Sequence, residues 1–106
     1  MRCTISQHQV TIGEGHLDVF FESENVLLET YEASLELMPG FLKGEEIVCH
    51  KKKDHRTLYL DFEGELSQNR GFIKIVWKGE YRISRDYFPE IIKVKILDDK
   101  NIKLEF

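Results

Sequence analysis

The stretch His16-Leu17-Asp18-Val19-Phe20-Phe21-Glu22 decides the fold. Successive side chains of an extended chain point to opposite faces. Leu17, Val19 and Phe21 therefore share one face, and His16, Asp18, Phe20 and Glu22 share the other. A period of two over seven residues, with β-branched and aromatic members, predicts a half-buried strand. The polar face is unusual in carrying a histidine two residues from an aspartate.

The same period recurs on either side. Leu27, Tyr31, Ala33, Leu35 and Leu37 alternate with Thr30, Glu32, Ser34 and Glu36. Leu58, Leu60 and Phe62 alternate with Tyr59, Asp61 and Glu63, which predicts another strand carrying His55, Thr57, Tyr59, Asp61 and Glu63 on one side. Ile73, Ile75 and Trp77 alternate with Lys74, Val76 and Lys78; Ile92, Val94 and Ile96 with Lys93 and Lys95; Ile102, Leu104 and Phe106 with Lys103 and Glu105. Weaker strands are expected near 2–8, 45–50 and 80–84. Turn signals separate the runs, among them Gly13 and Gly15, Pro39-Gly40, Gln68-Asn69-Arg70-Gly71, Lys78-Gly79 and Asp98-Asp99-Lys100-Asn101. No stretch has helical periodicity with caps. The expectation is a single all-β domain over residues 1–106, a small antiparallel barrel of about eight strands. Side chains fill the interior of a barrel that size, so a site belongs on the outer polar face or at a mouth.

Composition narrows the function classes. Hydrophobic residues at 42% and charged residues at 32% fit an ordered globular chain. A net charge of −4 argues against gripping nucleic acid through bulk positive charge. No apolar run has transmembrane length, and the N-terminal residues lack the apolar core of a secretory signal, so no membrane association is expected. Cys3 and Cys49 do not make a disulfide framework, and a reducing cytoplasmic setting is expected. Cys49 reads as a buried thiol beside an exposed His50.

His16 and Asp18 project from one strand face, and the glycines flanking Glu14 suit a hairpin that brings His8 beside them. Imidazole and carboxylate suit Mn²⁺, Zn²⁺ or Fe²⁺, and spacing alone does not choose among them. The plain alternative is that these are solvated histidines on an acidic protein.

Four collinear pieces carry a resemblance. They are Gln7-His8; His16-Leu17-Asp18 with Glu22; Val26-Leu27-Leu28; and Asp54-His55 through Tyr59 to Asp61-Phe62-Glu63-Gly64, followed by Arg70-Gly71 and Val76-Trp77-Lys78-Gly79-Glu80-Tyr81. In order, over about residues 3–83, they resemble the 3′-phosphoesterase module of bacterial DNA ligase D. The resemblance implies a compact β-barrel with an outer polar active site. It also implies a Mn²⁺-dependent removal of a terminal ribonucleoside or 3′-phosphate from nucleic-acid 3′ ends, with partner proteins of end repair. By position, His8, His16 and Asp18 look like metal ligands. His55 and Tyr59 look like catalytic residues on the scissile phosphate. Apart from the resemblance, Asp61 and Glu63 read either as carboxylates that orient a ligating histidine or as solvent-facing strand residues.

The chain departs from the family at Phe20, where the family has a phosphate-binding arginine. An arginine fork grips phosphate oxygens bidentately and phenylalanine offers nothing equivalent. Losing such a contact costs on the order of 10²–10³ in rate. Arg56, Arg70 or Arg82 are candidate substitutes, and Phe20→Arg is expected to raise activity. Phe20 itself reads either as a base-stacking ring or as a ring packed under a neighbouring strand, and Lys51-Lys52-Lys53 as a solvated loop or a backbone contact. The alternative function is a non-catalytic relative that binds a phosphorylated ligand or a protein partner. A further alternative is an interaction barrel with incidental histidines.

Overall fold

The computed structural model describes residues 1–11, 13–68, 70–83 and 87–106. Among them the chain forms eight strands: β1 (Arg2–Thr11), β2 (Glu14–Phe21), β3 (Leu28–Ser34), β4 (Ile47–His55), β5 (Gly64–Glu65), β6 (Phe72–Tyr81), β7 (Ile91–Ile96) and β8 (Asn101–Glu105). They make one sheet in the order β1-β2-β3-β4-β7-β8-β6-β5, and β1 also pairs with β6, so the sheet returns on itself as a ring. The expected small all-β fold is observed. One junction departs from antiparallel: β6 meets β8 in parallel through Glu80 with Asn101 and Tyr81 with Ile102.

The alternation drives this closure. Ile5, Leu17, Val19, Phe21, Tyr31, Cys49, Ile92, Val94 and Ile102 face inward and form the main core, joined by Phe41. Each fully buried side chain of this size contributes roughly 1.5–3 kcal/mol. Phe21 sits edge-on to Tyr81 at 4.9 Å between ring centroids. Residues on β2 facing the other way begin the outer face described below.

Five expectations are corrected. The strand read over 55–63 is absent past His55; Thr57–Leu60 is a single 3₁₀ turn. It turns because Leu60 folds onto Phe20 and Leu28, and its carbonyl accepts a hydrogen bond from the buried Thr4 hydroxyl at 2.8 Å. The strand read to Leu37 ends at Ser34, whose hydroxyl accepts from the Glu36 amide and starts a 3₁₀ turn over Leu35–Leu37. A short helix α1 (Met38–Leu42), which the alternation did not predict, follows with Pro39 in its first turn, where a missing N–H is no loss.

Gly79 is no turn: β6 runs through it from Phe72 to Tyr81. A Cβ there would lie 2.3 Å from the Lys100 carbonyl, which accepts from Glu80 N at 2.7 Å. Only glycine allows that approach. Finally, the β1–β6 register shifts between Ile5/Ser6, pairing Ile5 with Trp77 but Ser6 with Ile75. This bulge moves Ile73 and Ile75 to the outer face, away from Trp77. Of the segments expected near 80–84 and 68–71, Ser84 and Asn69 lie outside the described residues. No helix is long and apolar enough to cross a membrane among the described residues.

Candidate metal centre

The β1–β2 hairpin builds the site. Its register sets His8 opposite His16, Ser6 opposite Asp18 and Thr4 opposite Phe20. A Cβ on Gly15 would stand 2.6 Å from the His8 carbonyl, so glycine lets the two strands close tightly here. The His8 and His16 rings meet edge to face at 4.9 Å. On the other side of β2, β3 sets Glu32 opposite Asp18, and β4 sets His50 opposite Glu32 and Lys52 opposite Thr30.

Asp18 is the centre. It is 2% exposed, and a buried carboxylate must be paired or neutralised. Its Oδ1 lies 3.2 Å from His16 Nε2 and 3.0 Å from Lys52 Nζ; its Oδ2 lies 3.9 Å from His8 Nδ1. Burial pushes the carboxyl upward, but the His16 hydrogen bond and the Lys52 ammonium outweigh it and hold Asp18 below its ordinary value. Asp18 is therefore ionised at neutral pH.

The histidine protons are placed by what their other nitrogens touch. His8 Nε2 lies 3.0 Å from the Arg70 carbonyl, which only accepts, so Nε2 carries the proton and donates. His8 Nδ1 then turns a lone pair toward Asp18. His16 Nδ1 lies 3.4 Å from Glu32 Oε1. His16 Nε2 faces Asp18 Oδ1 at 3.2 Å and makes the hydrogen bond that lowers the Asp18 carboxyl, so a cation bound here would take the place of the proton on that nitrogen. Ligating histidines characteristically donate their second N–H to a carbonyl or a carboxylate in this way.

His8, His16 and Asp18 form the one cluster of three such residues among those described, with donor atoms within 4.8 Å of one another. Donors that share an ion at about 2.1 Å stand roughly 3–4 Å apart. The donor set, the ionised buried carboxylate and the pinned His8 tautomer fit a divalent cation. So does the Ser6 hydroxyl across from Asp18, which is buried without a hydrogen-bond partner and would be satisfied by water on a hydrated ion.

His55 and Tyr59 assemble next to this cluster, around Phe20, which follows Asp18 on the same face of β2. Phe20 stacks on Tyr59 at 5.9 Å and 21° and meets His55 at 5.4 Å, while His55 and Tyr59 touch edge to face at 5.5 Å. Phe20, Leu28 and Leu60 make a second apolar cluster on the outer face, with Tyr59 against it. Phe20 is fully buried there, so it packs beneath neighbouring segments and offers no face to a base. His55 Nδ1 donates to the Lys53 carbonyl at 2.8 Å, which leaves Nε2 as its outward nitrogen.

Glu32 was not singled out by the sequence pattern, and Lys52 was read only as part of a lysine run. Glu32 orients His16, and Lys52 bridges Asp18 Oδ1, His16 Nε2 at 3.3 Å and Glu32 Oε1 at 3.4 Å. Lys52 is thus no solvated loop residue. The carboxylates expected to orient a histidine do not: Asp61 pairs with Arg2 and Lys78, each at 2.6 Å, and Glu63 is exposed. Nor do the candidate arginines reach Phe20's place. The Arg70 guanidinium folds onto Ser67, Arg56 is exposed, and Arg82 lines a cleft beside Met1 and Lys103. His50 is exposed and Cys49 buried, as the alternation implied.

No protein-family model matches this sequence, and no curated protein matches it. The likeness to the ligase D 3′-phosphoesterase module stands on the collinear motifs alone.

Proposed function

We propose that the protein is a divalent-metal-dependent phosphoesterase acting on nucleic-acid 3′ ends, with Mn²⁺ as the preferred ion and Zn²⁺ as the second candidate. The observation that carries this reading is the convergence of His8, His16 and Asp18, with His8 held from behind by the Arg70 carbonyl and Glu32 3.4 Å behind His16. His55 and Tyr59 beside that cluster, where the resemblance expects phosphate contacts, support the reaction type.

A cation held there would polarise a phosphate oxygen and neutralise charge on the reacting group. Asp18 supplies the anionic ligand because its carboxyl is held ionised. Glu32 and the Arg70 carbonyl keep the two imidazoles in register. His55, anchored through Nδ1, has Nε2 available to donate a hydrogen bond or a proton to a leaving oxygen. The Tyr59 ring is seated on Phe20, which fixes the position of its hydroxyl for orienting the phosphate. Positioning and charge neutralisation carry most phosphoryl-transfer catalysis, so these roles suffice for the class.

The test is purified protein with Mn²⁺ on primer–templates ending in a 3′-phosphate or a 3′-ribonucleotide. Release of phosphate or nucleoside that disappears in His16→Ala and Asp18→Ala is the expected result. No release from any such end overturns the reading.

Phe20 favours a second reading, a relative that binds metal and a phosphorylated ligand or protein partner without turning over. A buried ring at the family's arginine position removes one transition-state contact. Metal and phosphate binding with no hydrolysis is its signature.

A further inference from the structure

We propose that Lys52 is the phosphate-binding cation of this site, supplied from β4 in compensation for Phe20 on β2. The inference rests on the metal-dependent phosphoester reading above.

The geometry of charge points to it. Asp18, Glu32 and Lys52 together carry a net charge of one negative. Lys52 Nζ touches Asp18 Oδ1 at 3.0 Å and His16 Nε2 at 3.3 Å, two of the atoms that would hold the metal. An ammonium and a divalent cation repel at such separations in a poorly hydrated corner, so both do not share those atoms. When the cation binds, the ammonium leaves Asp18.

Its tether decides where it goes. Lys52 pairs with Thr30, and Thr30 pairs with Phe20, so the three lie in one row across β4, β3 and β2. The Lys52 stem starts in the Phe20 row and its ammonium now reaches into the Asp18 row. Swinging back brings the charge between the metal ligands and the His55–Tyr59 pair. A phosphate bridging the cation and His55 occupies that ground. Lysine acts as a mobile point charge on such a ligand, where arginine would act as a rigid fork. Two neighbouring cations are committed elsewhere: Lys51 to Glu29 at 3.2 Å and Asp54 at 2.5 Å, and the Arg70 guanidinium to Ser67.

The experiment is calorimetric titration with Mn²⁺, then with inorganic phosphate on the Mn²⁺-loaded protein, for wild type, Lys52→Met, Lys52→Gln and Lys52→Arg. Folding of each is checked by thermal melting. The proposal expects the neutral variants to bind Mn²⁺ at least as tightly as wild type, because a competing ammonium is gone. It expects phosphate affinity to fall about 10- to 100-fold in them, the usual weight of a charge-assisted contact, and to be kept in Lys52→Arg. Unchanged phosphate binding in a folded neutral variant overturns the role of Lys52. So does a parallel loss of Mn²⁺ affinity, which would make Lys52 a support for Asp18. Wild-type Mn²⁺ protein that binds no phosphate overturns the phosphoester reading itself, and the inference with it.

Discussion

The Arg70 carbonyl accepts the Nε2 proton of His8 at 3.0 Å, and this one hydrogen bond turns His8 Nδ1 toward Asp18. The bond depends on the turn behind it. Gly71 has φ +91°, and a Cβ there would stand 1.9 Å from the Gln9 carbonyl. Gly71→Ala therefore displaces Arg70 and frees the His8 ring. Mn²⁺ affinity is expected to fall about 10-fold or more, together with thermal stability. An unchanged Mn²⁺ isotherm would show that His8 needs no such support.

Glu32 has the matching role behind His16. Glu32→Ala removes the acceptor facing His16 Nδ1 and is expected to weaken Mn²⁺ binding about 10- to 100-fold. Glu32 is half-exposed, so the melting temperature should move little. A large loss of stability with normal metal binding would contradict this assignment.

Phe20 holds the His55–Tyr59 side of the site through packing. Phe20→Ala opens a cavity between Leu28, Leu60 and Tyr59 and is expected to cost about 3–5 kcal/mol in denaturant unfolding. Phe20→Arg, which the motif comparison alone would expect to raise activity, instead buries a guanidinium among apolar side chains. Lower stability with no gain in phosphate release is the expected outcome. A stable, more active Phe20→Arg would overturn the packing argument.

Alkaline pH should loosen the fold. Burial, with the neighbouring Cys49, raises the Cys3 thiol well above its usual value, and burial pushes Cys49 up to about 12. Burial, followed by the Glu29 carboxylate, also raises the Tyr31 hydroxyl, which donates to the Pro89 carbonyl. In the unfolded chain the thiols lose their protons near pH 8.5, roughly. Above that the unfolded state binds fewer protons than the native one, so stability falls as pH rises toward the native values. Urea midpoints measured at pH about 7.5 and about 10.5 should decrease in that order; equal midpoints would contradict the burial of these groups.

The legible part of the sequence was the part in which one face is dry. Leu17, Val19 and Phe21 against His16 and Asp18 fixed both the strand and the outward side of the site, because a one-residue slip would expose the whole core face. The same alternation misled at Leu58, Leu60 and Phe62. A period of two over a short run does not distinguish a strand from a turn whose Leu60 folds onto an outward-facing ring, here Phe20, and buries it. Glu32, and the place of Lys52 within its lysine run, were not legible for a different reason. Their part depends on which residues β3 and β4 set opposite β2, and a register shift between Leu28 and Thr30 changes that pairing. No local pattern encodes it.

The central claim is that His8, His16 and Asp18 hold one divalent cation. Calorimetric titration of metal-stripped protein with Mn²⁺ and with Zn²⁺, beside Asp18→Ala, tests it most directly. One saturable site in the wild type that vanishes in Asp18→Ala is the expected result. No binding of either ion, or equal binding in the folded Asp18→Ala protein, would contradict it.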